Sequence, residues 1–343
     1  METPRKTLFG SDLGQLAEWC AAEGWPRFAA GQLARWLYKR FVEDPARMTD
    51  LALARRERLA EAFAPALTPP MRESCSADGT KKYLFRTAEG HFIESAYIPD
   101  GDRATLCVSS QAGCRMGCRF CATGRQGLQA SLPTSAILNQ IVSLPERDRL
   151  TNLVFMGMGE PLDNTDNLLR ALAILTADWG FGWSPTRITV STAGVVPQLR
   201  RFLEATNVHL AVSLHNPFPE ERAAIMPVER AWPIAEVCAI LRDYDFSHQR
   251  RVSFEYIVLE GMNDSPRHIR ELCRLLNGIK CRINLIRFHK IPGSPYFSPG
   301  DAAMIRFRDA LTAKGIQTTI RASRGEDIQA ACGLLSTAEQ QAG

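Results

Sequence analysis

Three cysteines, Cys114, Cys118 and Cys121, fall on one short stretch, CRMGCRFCATG. Thiolates are soft ligands and select zinc, copper(I) or iron–sulfur clusters. Structural zinc sites close four positions, commonly with a second Cys-x2-Cys pair, and the chain has none. Three thiolates on one loop suit a 4Fe–4S cluster, whose usual four cysteine ligands would be one short, leaving one iron open. Zinc, or three unrelated cysteines, are the alternatives. Two further cysteines stand apart: Cys107 on the run that precedes the loop, and Cys332 in SRGEDIQAACG. Each alone reads as a small buried residue, because free cysteine is among the most buried types. Polar groups that could meet a bound cofactor occur in four other segments. They are Gly159 and Glu160 in GMGEP, Ser191 in VSTAG, Ser213 with Leu214 and His215 in AVSLH, and His289 in NLIRFHKIPG. Glu94, in HFIESAYIP, reads by itself as a solvated strand carboxylate.

These residues need a scaffold that brings them together. From Ala104 onward, seven short β-rich runs from ATLCVSSQ to IQTTIRA alternate with helical stretches such as TDNLLRALAILTA and SPRHIRELCRLLNG. Such alternation predicts βαβ units and a parallel sheet. Six or seven units predict an α/β fold, a full or partial barrel of the (β/α)6 TIM-barrel type. Chemistry in such a barrel gathers at the C-terminal strand ends, where the cysteine loop, Gly159-Glu160, Ser191, Ser213 to His215 and His289 would all fall. Upstream, GQLARWLYKRFV (31–42) and LALARRERLAEAF (51–63) have apolar residues at helical spacing, with MTD supplying cap chemistry for the second. Residues 1–70 are therefore expected to form a small helical domain. TPPMRES breaks it, and KKYLFRTAEGHFIESAYIP (81–99) reads as two strands joined at Glu89-Gly90. That hairpin extension, within 75–100, leads into a barrel domain spanning 101–343.

With Phe120 before its last cysteine, Cys114-x3-Cys118-x2-Cys121 resembles the signature of the radical S-adenosylmethionine (SAM) enzymes. The resemblance implies a 4Fe–4S cluster on these three cysteines, its open iron chelated by SAM. It also implies SAM contacts from Gly159, Glu160, Ser191, Ser213, Leu214 and His215.

ATLCVSSQ, MGEP, VSTAG, SLH and the run Arg324-Gly325-Glu326-Asp327-Ile328 with Ala330-Ala331-Cys332-Gly333 narrow this further. Together they are similar, over almost the whole chain, to the RlmN/Cfr family of RNA adenine methyltransferases. The resemblance implies that Cys332 carries a methyl group, that Cys107 is its resolving thiol through a transient disulfide, and that Glu94 is the proton acceptor. It implies methylation at C2 of an adenosine in the peptidyl-transferase centre of 23S rRNA and of the adenosine next to the anticodon in tRNAs. The C8-methylating branch of the family is the nearest rival, and a non-catalytic zinc-bound RNA-binding protein is the rival of another class. One position departs from the family pattern: His289 stands where Asn is common, and Arg287 where Pro is common. Imidazole can donate or accept as an amide does, so His289 is retained as an expected SAM contact.

Charged residues make up 23% and AVILMFWYC 45%, a balance that excludes wholesale disorder. No apolar run approaches the length of a membrane span, and METPRKTLFG lacks a secretory signal's apolar stretch. The expected compartment is the cytoplasm, where ten cysteines point to metal or thiol chemistry rather than lasting disulfides. A net charge of +4 would not by itself reveal nucleic-acid binding. Arg35, Lys39, Arg40, Arg55, Arg56 and Arg58 are candidate phosphate contacts on the N-terminal helices. The family resemblance adds an electron donor such as flavodoxin or ferredoxin, and a monomer.

Overall fold

The structure, a computed structural model, describes residues 6–247 and 252–337. The ends of the expected terminal domains, 1–5 and 338–343, lie outside the described residues. Helix α1 (Leu13–Ala22) opens on a capping box between Asp12 and Gln15, a D-x-x-Q signal outside the two helices expected from hydrophobic spacing. Helix α2 (Ala29–Tyr38) buries Leu33, Ala34, Leu37 and Tyr38 along one stripe. Helix α3 (Leu53–Ala62) buries only Leu59. The MTD segment does not cap α3, whose N-cap is Ala52 without a side-chain bond. Asp50 accepts instead from the indole N–H of Trp36, because a largely buried indole donor requires a partner. Leu33 and Tyr38 share one apolar core with Leu106, Leu153 and Val190 of the main sheet.

That sheet has ten strands. Strands β1 (Arg72–Cys75), β2 (Lys81–Arg86) and β3 (Phe92–Asp100) run antiparallel, with the expected β2–β3 turn at Glu89-Gly90. Strand β1 lies in the stretch expected only to break the helical domain. Its side chains are mostly exposed, so no apolar alternation announces it. Strand β3 pairs antiparallel with β4 (Arg103–Cys107). A separate two-stranded sheet follows, β5 (Gln111–Cys114) with β6 (Gly127–Ser131), enclosing the short helix α4 (Ala122–Gln126). From β4 the main sheet continues in parallel through β7 (Asn152–Phe155), β8 (Ile188–Thr192), β9 (His209–Ser213), β10 (Val252–Val258), β11 (Cys281–Arg287) and β12 (Gln317–Ile320). All seven expected runs are thus strands of one parallel array. Helices such as Thr165–Thr176 and Pro266–Leu275 connect them.

The array stays open, with β1 and β12 as its edges. The segment after β12 crosses the opening. Its start is held by the β1–β2 turn, where Gly325 N–H donates to Asp78 Oδ2 at 2.9 Å and Ala77 N–H donates to Asp327 Oδ2 at 3.2 Å. Arg324 pairs with Asp100 at 3.1 Å. Its far end is held by β3 and α4: Ser336 N–H donates to Glu94 Oε2 at 3.0 Å, and Thr337 N–H to Gln126 Oε1 at 3.1 Å. Cys332 lies between these two anchors.

Candidate active site

The cysteine loop is shaped by two glycines. Gly113 sits at φ +72° in a bulge of β5, where a Cβ would lie 1.8 Å from the Gly127 carbonyl oxygen. Gly124 lets α4 lie on the loop, since a Cβ there would meet Cys118 backbone N at 2.9 Å and O at 3.0 Å. Only hydrogen fits at either place. Burial pushes the Cys114 thiol up to about 12 and raises Cys118 and Cys121; Cys121 further raises Cys114 and Cys118, and Cys332 further raises Cys121. Bound metal would reverse that balance by deprotonating a coordinating thiol. Among the described residues no three Cys, His, Asp or Glu side chains converge on a single ion position. A 4Fe–4S cluster asks for no such convergence, because its thiolates bind separate irons. Donor type and glycine-shaped cradle therefore fit the cluster.

A cavity of about 150 Å³ opens beside the loop, lined by all three cysteines, Gly159, Glu160, Ser191, Ser213, His215 and Cys332. Gly159 stands at φ +102°, where a Cβ would lie 2.6 Å from that of Gln111. Glu160 is buried, its two oxygens accepting from Leu162 N–H at 3.0 Å and Ala193 N–H at 2.8 Å. Burial lifts it to about 7 against those hydrogen bonds. Thr192 adds a side-chain hydrogen bond, so the carboxylate keeps one acceptor position for a further donor. His215 takes the left-handed conformation at φ 57°, accepts from Ile257 N–H at its Nδ1 (2.9 Å) and packs edge-on to Phe120 of the cysteine loop. Burial holds it neutral, down to about 3. Leu214 faces the apolar core rather than the cavity, and its backbone N–H donates to Glu255 O at 3.0 Å.

A second cavity, of about 360 Å³, shares a wall with the first and holds Cys107, His289 and, again, Cys332. Cys107 ends β4 among Ala96, Val154 and Ala330. Its thiol is pushed up to about 12, first by burial and then by Cys332, with Arg321 opposing. Cys107 and Cys332 are both free thiols. The ring nitrogens of His289 face Ser323 at 3.2 Å and Glu326 at 3.3 Å, so His289 sits in the larger cavity, not beside the cysteine loop. Glu94 lines neither cavity. It is buried, paired with Lys82 at 3.1 Å and raised by burial against that cation. It lies two residues from Ala96, which faces Cys107 across the β3–β4 register.

Three residues in or behind these walls were not among the expected ones. Arg222 ties strand ends together through Ala193, Ser213 and Leu214 carbonyls. Glu255 and Arg321 line both cavities. A carboxylate inside VSFEYIVL, an otherwise apolar strand, was the available signal, since acidic residues are almost never fully buried without a reason.

An open parallel barrel whose strand ends gather a three-cysteine loop and a cavity bordered by Glu160, Ser191, Ser213 and His215 has the build of a radical SAM protein. The radical SAM superfamily model matches residues 108–275, and the model of the ribosomal RNA large subunit methyltransferase N-terminal domain matches residues 6–64. The chain is 54% identical over 341 residues, 99% of it and 98% of the relative, to the "Probable dual-specificity RNA methyltransferase RlmN" of Phocaeicola vulgatus. It is 43% identical over 327 residues, 94% of it and 96% of the relative, to the "Dual-specificity RNA methyltransferase RlmN" of Syntrophobacter fumaroxidans. Its fold matches the crystal structure of a radical SAM methyltransferase from Sphaerobacter thermophilus with a TM-score of 0.89 at 42% identity, covering 96% of this chain and 99% of that one. The chain belongs to the RlmN family of radical SAM RNA methyltransferases, which use a 4Fe–4S cluster and SAM.

Proposed function

We propose that the protein methylates C2 of an adenosine in the peptidyl-transferase centre of 23S rRNA and of the adenosine next to the anticodon in tRNAs. The observation that carries this reading is the position of Cys332, which lines both the cavity of the three cysteines and the cavity of Cys107. Adenine C2 bears an unactivated C–H between two ring nitrogens and cannot attack the electrophilic methyl group of SAM, so ordinary displacement does not serve. A nucleophilic thiolate can accept that methyl group instead. Cys114, Cys118 and Cys121 hold the cluster, and Gly159, Glu160, Ser191, Ser213 and His215 surround SAM, with Leu214 supporting them from the core and His289 bordering the adjoining larger cavity.

When bound, the cluster supplies the electron that cleaves SAM and so makes hydrogen-atom abstraction available. The chain's own part is carried by its thiols. Cys332 takes a methyl group by displacement; stripped of one hydrogen atom, the S-methyl carbon adds to C2 and tethers the base as a thioether, and the unpaired electron this leaves on the base would return to the oxidised cluster. Glu94 accepts the C2 proton, the reach from its place beside Ser336 being made by movement of the Cys332 segment. Cys107 thiolate then attacks the Cys332 sulfur, the S–C bond breaks toward the base, the released CH2 carbon takes up a proton to become the methyl group, and a Cys107–Cys332 disulfide remains for reduction. A flavodoxin or ferredoxin supplies electrons, and the chain acts as a cytoplasmic monomer. No helix among the described residues is long and apolar enough to cross a membrane.

The helices of residues 1–70 contribute to RNA binding. Of their six candidate cations, Arg58 pairs with Glu23 at 2.8 Å, Arg40 and Arg55 lie over Trp36 and Trp25, and Arg56 holds the Ala46 carbonyl. Lys39 and Arg35, whose nearest carboxylate is 3.9 Å away at Asp50, are the freest for phosphate. The testing experiment is mass analysis of the purified enzyme and its RNA. Cys332 should carry an increment of about 14 Da, and Cys107→Ala should accumulate RNA crosslinked to Cys332. An unmodified Cys332, with Cys107→Ala inactive but free of RNA, would overturn the assignment.

A further inference from the structure

Glu255 stands at the centre of β10, a strand buried along its whole length. Only 3% of the residue is exposed. One carboxylate oxygen, Oε1, accepts from Asn284 Nδ2 at 2.7 Å and from Ser253 Oγ at 3.2 Å. Thr319 Oγ1 in turn donates to Asn284 Oδ1 at 2.9 Å, so a chain of side chains across β10, β11 and β12 fixes the carboxylate's orientation. The other oxygen, Oε2, is buried without a partner. Leaving a charged acceptor desolvated and unbonded is costly, and such groups in a native fold mark a place for a ligand, ion or water.

The surroundings say which side the ligand comes from. Glu255 borders both cavities, but Ser253, Asn284 and Thr319 line only the larger one, with Cys107. Arg321 borders the same two spaces, and its guanidinium donates to the thioether sulfur of Met156 at 3.2 Å. Sulfur is a weak acceptor, and a guanidinium has five N–H donors to place. A fixed acceptor and a donor fork therefore face one space next to Cys332.

We propose that Glu255 selects the target base, its free Oε2 accepting a hydrogen bond from the 6-amino group of adenine while Arg321 donates to a ring nitrogen. This rests on the reading that an RNA adenine is the substrate. Adenine carries a donor at position 6, where guanine carries a carbonyl acceptor. A carboxylate placed there holds adenine and repels guanine or hypoxanthine, so the same atom orients the base and excludes the wrong one.

The test uses the full-length, cluster-loaded enzyme in single-turnover methylation of one RNA with adenosine, purine riboside or inosine at the target position. Purine riboside lacks only the 6-amino group. Wild type and Glu255→Gln are compared, and SAM binding is measured by equilibrium dialysis without RNA. Wild type should lose about 10- to 100-fold on purine riboside, the worth of one hydrogen bond to a charged group, and more on inosine. Glu255→Gln should be slow on adenosine yet lose less than about threefold further on purine riboside, as expected once the contact is gone. Its SAM affinity should stay unchanged. Equal wild-type rates on adenosine and purine riboside would overturn the proposal without any variant. So would a full wild-type penalty retained in Glu255→Gln, or weakened SAM binding in the absence of RNA, which would give the carboxylate to the cofactor. Failure of the underlying reading looks different: wild type would then transfer no methyl group to the adenosine RNA.

Discussion

Removing the guanidinium of Arg222 should unfold the SAM side of the barrel before it touches the thiol chemistry. Arg222, on the short helix Pro219–Ile225, has no exposed surface, and its partner Glu229 is 4% exposed. Besides that ion pair, it donates to the carbonyls of Leu214 at 2.9 Å, Ala193 at 2.9 Å and Ser213 at 2.8 Å. Those carbonyls lie just past the ends of β8 and β9, where Ala193, Ser213 and His215 line the smaller cavity. Arg222→Met keeps the packing stem but leaves Glu229 Oε2 with only the Ile234 N–H at 3.0 Å. Breaking a buried pair by removing one partner costs about 3–5 kcal/mol. At roughly 2–4 °C per kcal/mol for chains of this order, the melting temperature should fall by about 6–20 °C. The double variant Arg222→Met/Glu229→Leu should regain at least half of the loss, because exchanging both partners for apolar groups is often neutral. Circular dichroism melts and SAM dialysis on the three proteins check this. A single variant melting within about 1 °C of wild type, or a double variant no better than the single, refutes the account of the buried pair.

Two further outcomes follow from the same geometry. Burial holds His215 down to about 3 and His268 down to about 4; each therefore contributes stability that is complete above the unfolded value of about 6.5 and is lost as pH falls below it. Between pH 6.5 and 5 the urea stability of wild type should fall more steeply than that of His215→Asn, by up to about 1.4 kcal/mol per unit, a difference from which the opposing contribution of Glu160, raised to about 7, cancels; identical slopes would show the ring to be protonated without penalty. Asp78 fixes the turn before Cys332 by accepting from Gly325 at 2.9 Å, in a conformation where a Cβ on Gly325 would meet Thr80 at 2.7 Å. Asp78→Ala should raise the iodoacetamide reactivity of Cys332 several-fold and slow its S-methylation while leaving iron content intact, and unchanged alkylation would rule the latch out.

What the sequence made legible follows from range. The cysteine loop could be read because its three thiols are neighbours in the chain, and the seven parallel strands because each carries a compact β-rich run. Long-range partners were hidden. Nothing local shows that His289 faces Ser323 and Glu326, that Glu94 meets Lys82 and Ser336, or that Asp50 serves Trp36 rather than α3. Strand β1 escaped because an exposed edge strand needs no apolar pattern. The β5–β6 pair escaped because its register is broken by the Gly113 bulge, which spoils the period-two signal. Cys107 and Cys332 were singled out through family resemblance; no periodicity links residues so far apart.

The open edge of the barrel explains why Cys332 can belong to two cavities at once. A closed barrel would surround its strand ends with βα loops and separate a substrate space from the lumen. Here β12 does not meet β1, and the chain beyond it fills the breach. Between its anchors at Gly325 and Ser336, Gln329 takes a left-handed φ of 55°, a conformation that costs a non-glycine residue about 1 kcal/mol or more. Ala330 N–H donates to Gly325 O at 2.7 Å and Gly333 O accepts from Ala122 N–H at 2.8 Å, so the reversal is held on both sides of the cysteine. The second of those bonds comes from α4, the helix that begins immediately after Cys121. A thiol on this strap is thus tethered directly to the cysteine loop while facing Cys107 across the larger cavity. The methyl carrier proposed at Cys332 must meet its donor and its acceptor in turn, and a short segment pinned at both ends in a gap between them suits that requirement.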